Sequence, residues 1–297
     1  MATKKKILIT TGSQSEQYAK PLIKRLKNHP DFELMVFERP GWNFCGIYKD
    51  IEQLLTKEKM AFVIIPSDRI EHLPVAVAAF ELNIPIVQLY AGDISGRATF
   101  DDFNRYVYSI YASVIFCATD EAAERIRLLY SIFHKDTTHI YVTSMTHFDD
   151  FEIDESVVPR FEYDLVLYNP ITRGKNLDLQ MAKELAEIKS MLDKGTFWLE
   201  PNEDNGRDFI IDYATKLGGD VCFTWRQPRS KFFGLLKHCS RLLTNSSLVA
   251  YEGQRFLKPP QIIHIGERNK GRDQVLVSEG GSDQIIKILE GIDFGTL

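Results

Sequence analysis

The stretch that decides the fold is residues 84–111, which read IPIVQLYAGDISGRATFDDFNRYVYSIY. The apolar run from Ile84 to Leu89 predicts a strand, and the apolar spacing from Phe100 to Tyr111 predicts a helix. The preceding strand, Ala61 to Pro66, is nearly all apolar, as expected for a parallel strand that is covered on both faces. Strands that alternate with helices in this way predict a doubly wound α/β fold.

The same alternation continues on both sides of one interruption, between Met145 and Tyr163. A chain of 297 residues, 44% of them hydrophobic, is long enough to form two such domains. We therefore predict a first Rossmann-like domain at residues 1–150, a linker at 151–163 and a second Rossmann-like domain at 164–297.

The charge composition is that of an ordinary protein surface. Charged residues make up 26% of the chain and the formal net charge is −5, which gives no general attraction for polyanions. Local basic groups occur at Lys4–Lys6, at Arg226, Arg229 and Lys231, and at Arg268–Arg272. We interpret these groups as solvated surface. Nucleic acid is a possible partner, but the net charge does not indicate it.

Cysteine and histidine usage indicates neither disulfides nor a metal site. The four cysteines are scattered without a CxxC pair, and no His/Cys cluster has ligand spacing. The first residues lack an apolar signal core, and no apolar run is long enough to span a bilayer. These features predict a cytoplasmic protein with reduced thiols and no metal.

Polar residues follow the predicted strands of the first domain. Gly12-Ser13-Gln14 joins the first strand to the first helix and suits an anion, although a plain turn with a Ser cap explains it equally well. Asp68 follows a central strand, where open α/β sheets bind ligands, or it caps a helix. Asp101 or Asp102 shares a helix face with Arg105, so these residues form a site or a local salt bridge. The small residues just before that helix favour the site.

A second polar group follows a strand of the second domain. Asn245-Ser246-Ser247 lies at the start of a predicted helix over Ser246 to Phe256, where hydroxyls supplement the helix N–H groups and dipole in holding phosphate. Glu252 lies further along this helix, where a carboxylate accepts paired hydrogen bonds from ribose hydroxyls. Simple helix capping is the alternative for the serines. Arg272 or Arg268, in a glycine-flanked loop, could neutralise a diphosphate, or the loop is merely exposed. A site that used both polar groups would lie in a cleft between the domains.

Together these motifs resemble the UDP-N-acetylglucosamine 2-epimerase family, including its hydrolysing members. The most specific parts are Ala91-Gly92-Asp93 with Phe100 to Arg105, and Asn245 to Glu252 with Gly266 to Arg272. The resemblance covers most of the chain and implies the GT-B architecture, in which a UDP-sugar binds in the cleft between two Rossmann-like domains. It also implies that Ser246 and Ser247 hold the diphosphate, that Glu252 holds the ribose, and that Asp68, Asp101 and Arg105 face the sugar.

Three departures from the family pattern concern the chemistry. Gln14 stands where the family has a phosphate-binding Arg, Tyr90 replaces an acidic or His residue, and Asn169 replaces a His. Epimerisation in this family begins by eliminating UDP, which requires a base at C2 of the sugar and an acid at the departing oxygen. Tyr and Asn do not titrate near neutral pH, and losing one such group costs roughly 10²–10⁴-fold in rate.

These departures favour a protein that binds a UDP-sugar but uses it differently. Our leading prediction is a metal-independent glycosyltransferase that moves the sugar to an acceptor hydroxyl, with Asp101 as the first candidate base and Asp68 as the second. The acceptor (a small metabolite, a glycan or a modified nucleobase in DNA) stays open, no cofactor beyond the UDP-sugar substrate is predicted, and a homodimer is compatible with the sequence. The alternatives are a hydrolysing or non-hydrolysing 2-epimerase, and a non-catalytic sugar-nucleotide binding protein.

Overall fold

The computed structural model describes residues 4–12, 16–38, 43–94, 100–172, 174–270, 275 and 278–297. Within these residues, the strands form one parallel sheet of six strands and one of five. The chain divides into unit 1, Met1–Asp150 with Val275–Leu297, and unit 2, Phe151–Gln274. The predicted α/β class with two doubly wound sheets is confirmed.

The sheet of unit 1 has the strand order β2-β1-β3-β4-β5-β6. Its strands are β1 (Lys5–Thr11), β2 (Phe32–Glu38), β3 (Phe62–Ile65), β4 (Ile86–Ala91), β5 (Val114–Cys117) and β6 (Ile140–Val142). Its helices are α1 (Glu16–Leu26), α2 (Phe44–Lys57), α3 (Leu73–Glu81), α4 (Phe100–Tyr111), α5 (Asp120–Ile132) and α10 (Gly281–Glu290). Apolar residues of α2 to α5 pack on one face of the sheet, and those of α1 and α10 pack on the other. The order reverses at β1 and β3, and ligands of open α/β sheets bind beyond the carboxyl ends of strands at such a point.

The sheet of unit 2 has the order β11-β10-β7-β8-β9. Its strands are β7 (Asp164–Leu167), β8 (Thr196–Leu199), β9 (Val221–Thr224), β10 (Arg241–Thr244) and β11 (Ile262–His264). Its helices are α6 (Leu177–Met191), α7 (Arg207–Lys216), α8 (Arg229–His238) and α9 (Gly253–Phe256). Because β7, β10 and β11 are neighbours, the loops that follow them emerge at one edge of the sheet.

The end of the chain belongs to unit 1, which corrects the prediction that residues 164–297 form one domain. The Asp149 carboxylate accepts hydrogen bonds from the backbone of Gly280 at 2.6 Å and of Ser282 at 2.8 Å, and so satisfies free N–H groups at the start of α10. Ile285 and Leu289 are fully buried in the unit 1 core, and the ring of Phe294 stacks at 4.0 Å on Phe62. Burial against β1 and β3 therefore decides where this helix lies.

The predicted linker also has a defined place, because Phe151 and the residues after it belong to unit 2. Asp154 donates its backbone N–H to the carbonyl of Ser230 at 3.0 Å, and Lys237 pairs with Glu155 at 2.8 Å. The predicted linker is thus bonded to the start and the end of α8.

The predicted helix over Ser246 to Phe256 is wrong as one element. The structure has a 3₁₀ turn at Ser247–Ala250 and then the four-residue α9. Tyr251 separates them with φ −123° and ψ −107°, values outside the helical region. This change removes the long helix whose dipole was expected to support a phosphate.

None of the helices in the described part of the chain combines the length and the hydropathy that crossing a bilayer needs. Its four cysteines are all free thiols, with Cys117 and Cys239 buried and Cys45 and Cys222 exposed.

Candidate functional site

Unit 1 brings four predicted or neighbouring polar residues together beyond β3 and β4. The Arg105 guanidinium forms an ion pair with Asp68, and its Nη1 lies 3.1 Å from the carboxylate of Asp102. The same Nη1 donates to the backbone carbonyl of Asp93 at 2.6 Å. A side chain from the loop after β3, a backbone carbonyl from the turn after β4 and a side chain from the first turn of α4 therefore meet at one buried cation.

Arg105 lies beneath these carboxylates rather than among exposed groups. Its side chain is 9% exposed, whereas that of Asp68 is 24% exposed. Gln88 of β4 donates to the Arg105 carbonyl at 2.8 Å and accepts from the Ser109 hydroxyl at 2.7 Å, which fixes α4 against the sheet. Arg105 thus holds the Asp68 carboxylate by an ion pair, and its predicted contact with the sugar stays a prediction.

Asp101 and Asp102 have different surroundings, although they are adjacent. Asp102 is buried and forms the local salt bridge with Arg105, so the spacing argument holds for Asp102. Asp101 is exposed, and its pKa is raised because nearby protein atoms desolvate the carboxylate and because Asp68 lies close by. A solvent-accessible carboxylate with a raised pKa suits proton transfer.

The turn after β4 requires a glycine at position 92. The β4–β5 register shifts between Gln88 and Ala91, and Tyr90 and Gly92 have φ values of +58° and +74°. A Cβ at Gly92 would lie 2.2 Å from the carbonyl oxygen of Ala122, at the start of α5. The Gly92 carbonyl accepts from Arg125 Nε at 2.7 Å, which fixes the turn that carries Asp93.

Tyr90 is a buried structural hydroxyl and not a substitute acid or base. Its hydroxyl is hydrogen-bonded to the Thr146 side chain and accepts the Thr146 backbone N–H at 2.8 Å. Burial raises the pKa of Tyr90 strongly, so the phenol does not ionise near neutral pH. This agrees with the expectation that position 90 is not a titrating group at neutral pH.

A buried histidine that sequence reasoning missed supports the Asp68 loop. His72 Nδ1 lies 2.9 Å from the Thr10 hydroxyl and Nε2 lies 3.0 Å from the Ser67 hydroxyl. Burial lowers the pKa of His72 from 6.5 to about 4, so the ring is neutral at pH 7. The ring thus connects the ends of β1 and β3, next to Asp68. No helical or strand period could have indicated this contact, because the partners are loop and strand residues far apart in sequence.

The predicted glycine-containing turn after β1 is described only at its first residue. Gly12 is buried and directly follows the carboxyl end of β1, one of the two strands between which the strand order reverses. Ser13 and Gln14 lie outside the described residues, so their predicted roles stay predictions.

In unit 2, Asn245 forms a closed pair with the main chain after β7. Its Oδ1 accepts the backbone N–H of Asn169 at 2.7 Å, and its Nδ2 donates to the Asn169 carbonyl at 2.8 Å. Asn245 is fully buried, and the Asn169 side chain accepts the backbone N–H of Asn202 at 2.9 Å. Asn245 thus has a structural role, and its predicted place in a nucleotide site stays a prediction. The two asparagines join the loops after β7, β8 and β10.

The serines that follow Asn245 differ in how their groups are used. Ser246 caps the 3₁₀ turn, because its hydroxyl accepts the backbone N–H of Leu248 at 3.3 Å. Its own N–H donates to the Thr244 hydroxyl at 2.9 Å. Within the described residues, the hydroxyl and the backbone N–H of the half-buried Ser247 have no hydrogen-bond partner. The capping alternative thus describes Ser246, and Ser247 offers the two donors that suit an anion.

Glu252 lies at the end of the same segment and is already paired. Arg229 Nη2 lies 2.8 Å from Glu252 Oε1, and the two side chains are 32% and 13% exposed. Burial raises the pKa of Glu252, and the positive charge of Arg229 opposes that effect. Arg229 was predicted only as part of a basic surface group, so the structure gives it a specific partner.

The loop after β11 contacts both other loops at this edge. Arg268 Nη1 donates to the Pro170 carbonyl at 3.2 Å, and Asn269 Nδ2 donates to the carbonyls of Asn245 at 3.0 Å and Ser246 at 2.9 Å. The described part of this loop is therefore bonded to the edge rather than merely exposed. Arg272 lies outside the described residues, and its role stays a prediction.

One group of potential metal ligands occurs among the described residues, at His29, Asp31 and Glu290. His29 Nδ1 accepts the backbone N–H of Asp31 at 3.3 Å, and Nε2 lies 3.2 Å from the Glu290 carboxylate. With Nδ1 acting as an acceptor, the ring proton is on Nε2, where it donates to Glu290. This arrangement is that of a hydrogen-bonded pair rather than of a metal-ligating imidazole.

The two parallel sheets define an α/β protein, and its likeness to solved 2-epimerase structures over nearly the whole chain shows a GT-B-like fold. A family model described as UDP-N-acetylglucosamine 2-epimerase matches residues 2–292. The chain belongs to the UDP-N-acetylglucosamine 2-epimerase family.

Individual relatives are distant but cover most of the chain. The UDP-N-acetylglucosamine 2-epimerase of Neisseria meningitidis serogroup B is 22% identical over 316 residues, 90% of this chain and 81% of that protein. The UDP-N,N'-diacetylbacillosamine 2-epimerase (hydrolyzing) of Legionella pneumophila is 22% identical over 96% of this chain and 85% of that protein. The MnaA–UDP co-structure from S. aureus superposes with a TM-score of 0.74 at 17% identity, over 97% of this chain and 88% of that one.

Proposed function

We propose that this protein is a UDP-sugar 2-epimerase that acts by eliminating UDP across C1 and C2 of a 2-acetamido sugar. The observation that carries the proposal is the carboxylate cluster of unit 1, in which Asp101 is accessible with a raised pKa while Arg105 holds Asp68 beside it. The family of the chain and the names of its relatives support the same chemistry. Glycosyl transfer, the leading prediction from the sequence, has support from the shared fold alone.

The elimination requires a base and an acid. The base removes the proton from C2, a C1=C2 double bond forms, and the C1–O bond breaks as UDP leaves with that electron pair. We assign the base to Asp101, because it is the accessible carboxylate of the cluster, and we assign Asp68 to hydrogen bonding with the sugar. UDP or water then adds back to the double bond at C1. At C2 a proton adds on the face opposite to the one from which the base removed it, and this inverts the C2 configuration.

The nucleotide is assigned to the edge loops of unit 2. Ser247 supplies a hydroxyl and an N–H donor for the diphosphate, the Ser246 hydroxyl proton supplies another, and Glu252 accepts from the ribose. Bound UDP in the S. aureus co-structure supports a nucleotide site in this fold. Asn245 and Asn269 fix the backbone at Ser246 and Ser247 by hydrogen bonds to the neighbouring loops.

Deuterium incorporation tests this assignment. The protein is incubated with UDP-N-acetylglucosamine in D₂O, and the products are followed by NMR and mass spectrometry. We expect solvent deuterium at C2, a product of the manno configuration and, in a hydrolysing enzyme, free UDP. Asp101→Asn should lower the rate roughly 10²–10⁴-fold with little change in UDP affinity.

A glycosyltransferase would leave C2 unlabelled and would require an acceptor. UDP binding without label at C2 and without turnover would instead indicate a non-catalytic binding protein. Either result contradicts the proposal. The acid limb of the rate profile should lie above the ordinary Asp value of 3.8, because the pKa of Asp101 is raised.

A further inference from the structure

The pair between Glu252 and Arg229 has more support than an ordinary surface ion pair. The Arg229 guanidinium carbon lies 5.0 Å from the centre of the Phe233 ring and 5.9 Å from that of Phe151. These two rings contact each other with centroids 4.5 Å apart. A guanidinium that rests on aromatic faces loses less freedom when it forms a hydrogen bond, so its orientation toward Glu252 is fixed.

The position of the pair links two segments of unit 2. Arg229 is the first residue of α8, and Glu252 immediately precedes α9. Glu252 belongs to the segment that begins with Ser246 and Ser247, to which we assign the nucleotide. The guanidinium is therefore a support that reaches this segment from another helix.

The chemistry of a ribose explains why the support matters. The 2′ and 3′ hydroxyls offer two donors side by side, and an ionised carboxylate can accept both of them. The Glu252 side chain is only 13% exposed, and burial without a compensating charge favours the neutral acid, which would lose acceptor capacity. A nearby cation opposes this effect and favours the ionised carboxylate, in which both oxygens are acceptors.

We propose that Arg229 is a positioning residue that holds the Glu252 carboxylate as a two-fold acceptor, and that it thereby makes the site selective for ribonucleotides over 2′-deoxyribonucleotides. This inference rests on the proposed function, since it takes UDP as the ligand of this edge. Arg229 acts through Glu252 and needs no contact with the nucleotide.

The test measures the dissociation constants of UDP and 2′-deoxy-UDP by calorimetry with the full-length protein. We expect the unchanged protein to prefer UDP by roughly 10- to 100-fold, the value of a hydrogen bond to a charged group. Arg229→Met should reduce this preference to less than about 3-fold, and Glu252→Gln should do the same. Arg229→Lys, which keeps the charge without the planar fork, should retain an intermediate preference.

A double-mutant cycle separates positioning from a purely structural role. If Arg229 acts through Glu252, the double variant Arg229→Met/Glu252→Gln has the same preference as Glu252→Gln alone. Lys237→Met is the matched control, because Lys237 lies on the same helix and pairs with Glu155 at 2.8 Å, an exposed carboxylate. This control should keep the full preference for UDP.

Two results would overturn the inference without affecting the proposed nucleotide site. One is an unchanged protein that binds UDP and 2′-deoxy-UDP equally. The other is a folded Arg229→Met or Arg229→Lys variant that loses affinity for both nucleotides by the same factor. Failure of the unchanged protein to bind either nucleotide would refute the proposed function and the inference together.

Discussion

Replacing Arg105 by Met should destabilise unit 1 far more than removing an exposed arginine of the same kind. Arg105 pairs with Asp68 and with Asp102, whose side chains are 24% and 9% exposed, and donates to the Asp93 carbonyl at 2.6 Å. Met fills a similar volume without the charge, so the variant keeps the packing and leaves the carboxylates uncompensated. Arg127 offers a matched control, because it also pairs with a carboxylate three residues earlier, Glu124, with the two side chains 39% and 71% exposed.

The difference in burial sets the expected magnitudes. Breaking a buried pair by removing one partner costs about 3–5 kcal/mol, because a charge is left unpaired in a poorly solvated place. An exposed pair at this spacing contributes less than about 0.5 kcal/mol. Arg105→Met should therefore lower the free energy of unfolding by about 3–5 kcal/mol, and Arg127→Met should change it by less than about 0.5 kcal/mol.

The assay is urea unfolding at pH 8 and at pH 5.5, followed by circular dichroism. Unpaired buried carboxylates bind protons more readily in the folded variant than in the unfolded chain. The stability of Arg105→Met should therefore fall as the pH rises, with the larger deficit at pH 8. Asp102→Asn in the Arg105→Met background should restore part of the loss. A deficit of less than about 1 kcal/mol at pH 8, or one that is equal at both pH values, would refute the idea that Arg105 is the buried counter-charge of this cluster.

Three further predictions concern buried hydrogen bonds. Tyr90→Phe leaves the backbone N–H of Thr146 without its partner, while the Thr146 hydroxyl still donates to the Tyr18 carbonyl. This change should cost about 1–2 kcal/mol by urea unfolding and leave the shape of the pH–rate profile unchanged; a displaced limb would mean that Tyr90 titrates after all. The pKa of His72 is lowered from 6.5 to about 4 in the folded protein, so between these pH values the unfolded chain binds more protons at this residue. The free energy of unfolding should therefore fall by about 2 kcal/mol as the pH falls from 6.5 to 5. His72→Gln should remove that part of the acid dependence, and an unchanged slope would contradict the assignment. Asn245→Ala strands the buried N–H of Asn169 and should cost about 1–3 kcal/mol together with UDP affinity; calorimetry that finds full affinity in a destabilised variant would separate the two effects.

The order of strands and helices could be predicted because it depends on local periodicity. Apolar runs such as Phe62–Ile65 are entirely buried, and the helix expected at Phe100–Tyr111 has those bounds. The prediction of one helix after Ser246 was wrong. The apolar spacing there fits a helix, but the backbone of Tyr251 lies outside the helical region. Single backbone breaks of this kind leave no signal in an apolar pattern.

The candidate site could be predicted only in part from the sequence. Asp68 and the start of α4 each follow a predicted strand, where open α/β sheets bind ligands, and the family resemblance implied that Asp68, Asp101 and Arg105 face one sugar. Spacing could not decide between Asp101 and Asp102 as the partner of Arg105, since both lie on nearby parts of a helix face. The partner was decided by how α4 packs on β4 through Gln88.

The sequence by itself determined the elements, their alternation and the sheet edges at which polar chemistry collects, because these follow from the side-chain periods of strands and helices. Only the tertiary structure decided that residues 275–297 belong to unit 1, that the Asn245 side chain bonds to the Asn169 backbone, and that Glu252 pairs with Arg229. Each of these depends on burial and hydrogen bonding between residues 23 or more positions apart, and no local pattern encodes such a contact.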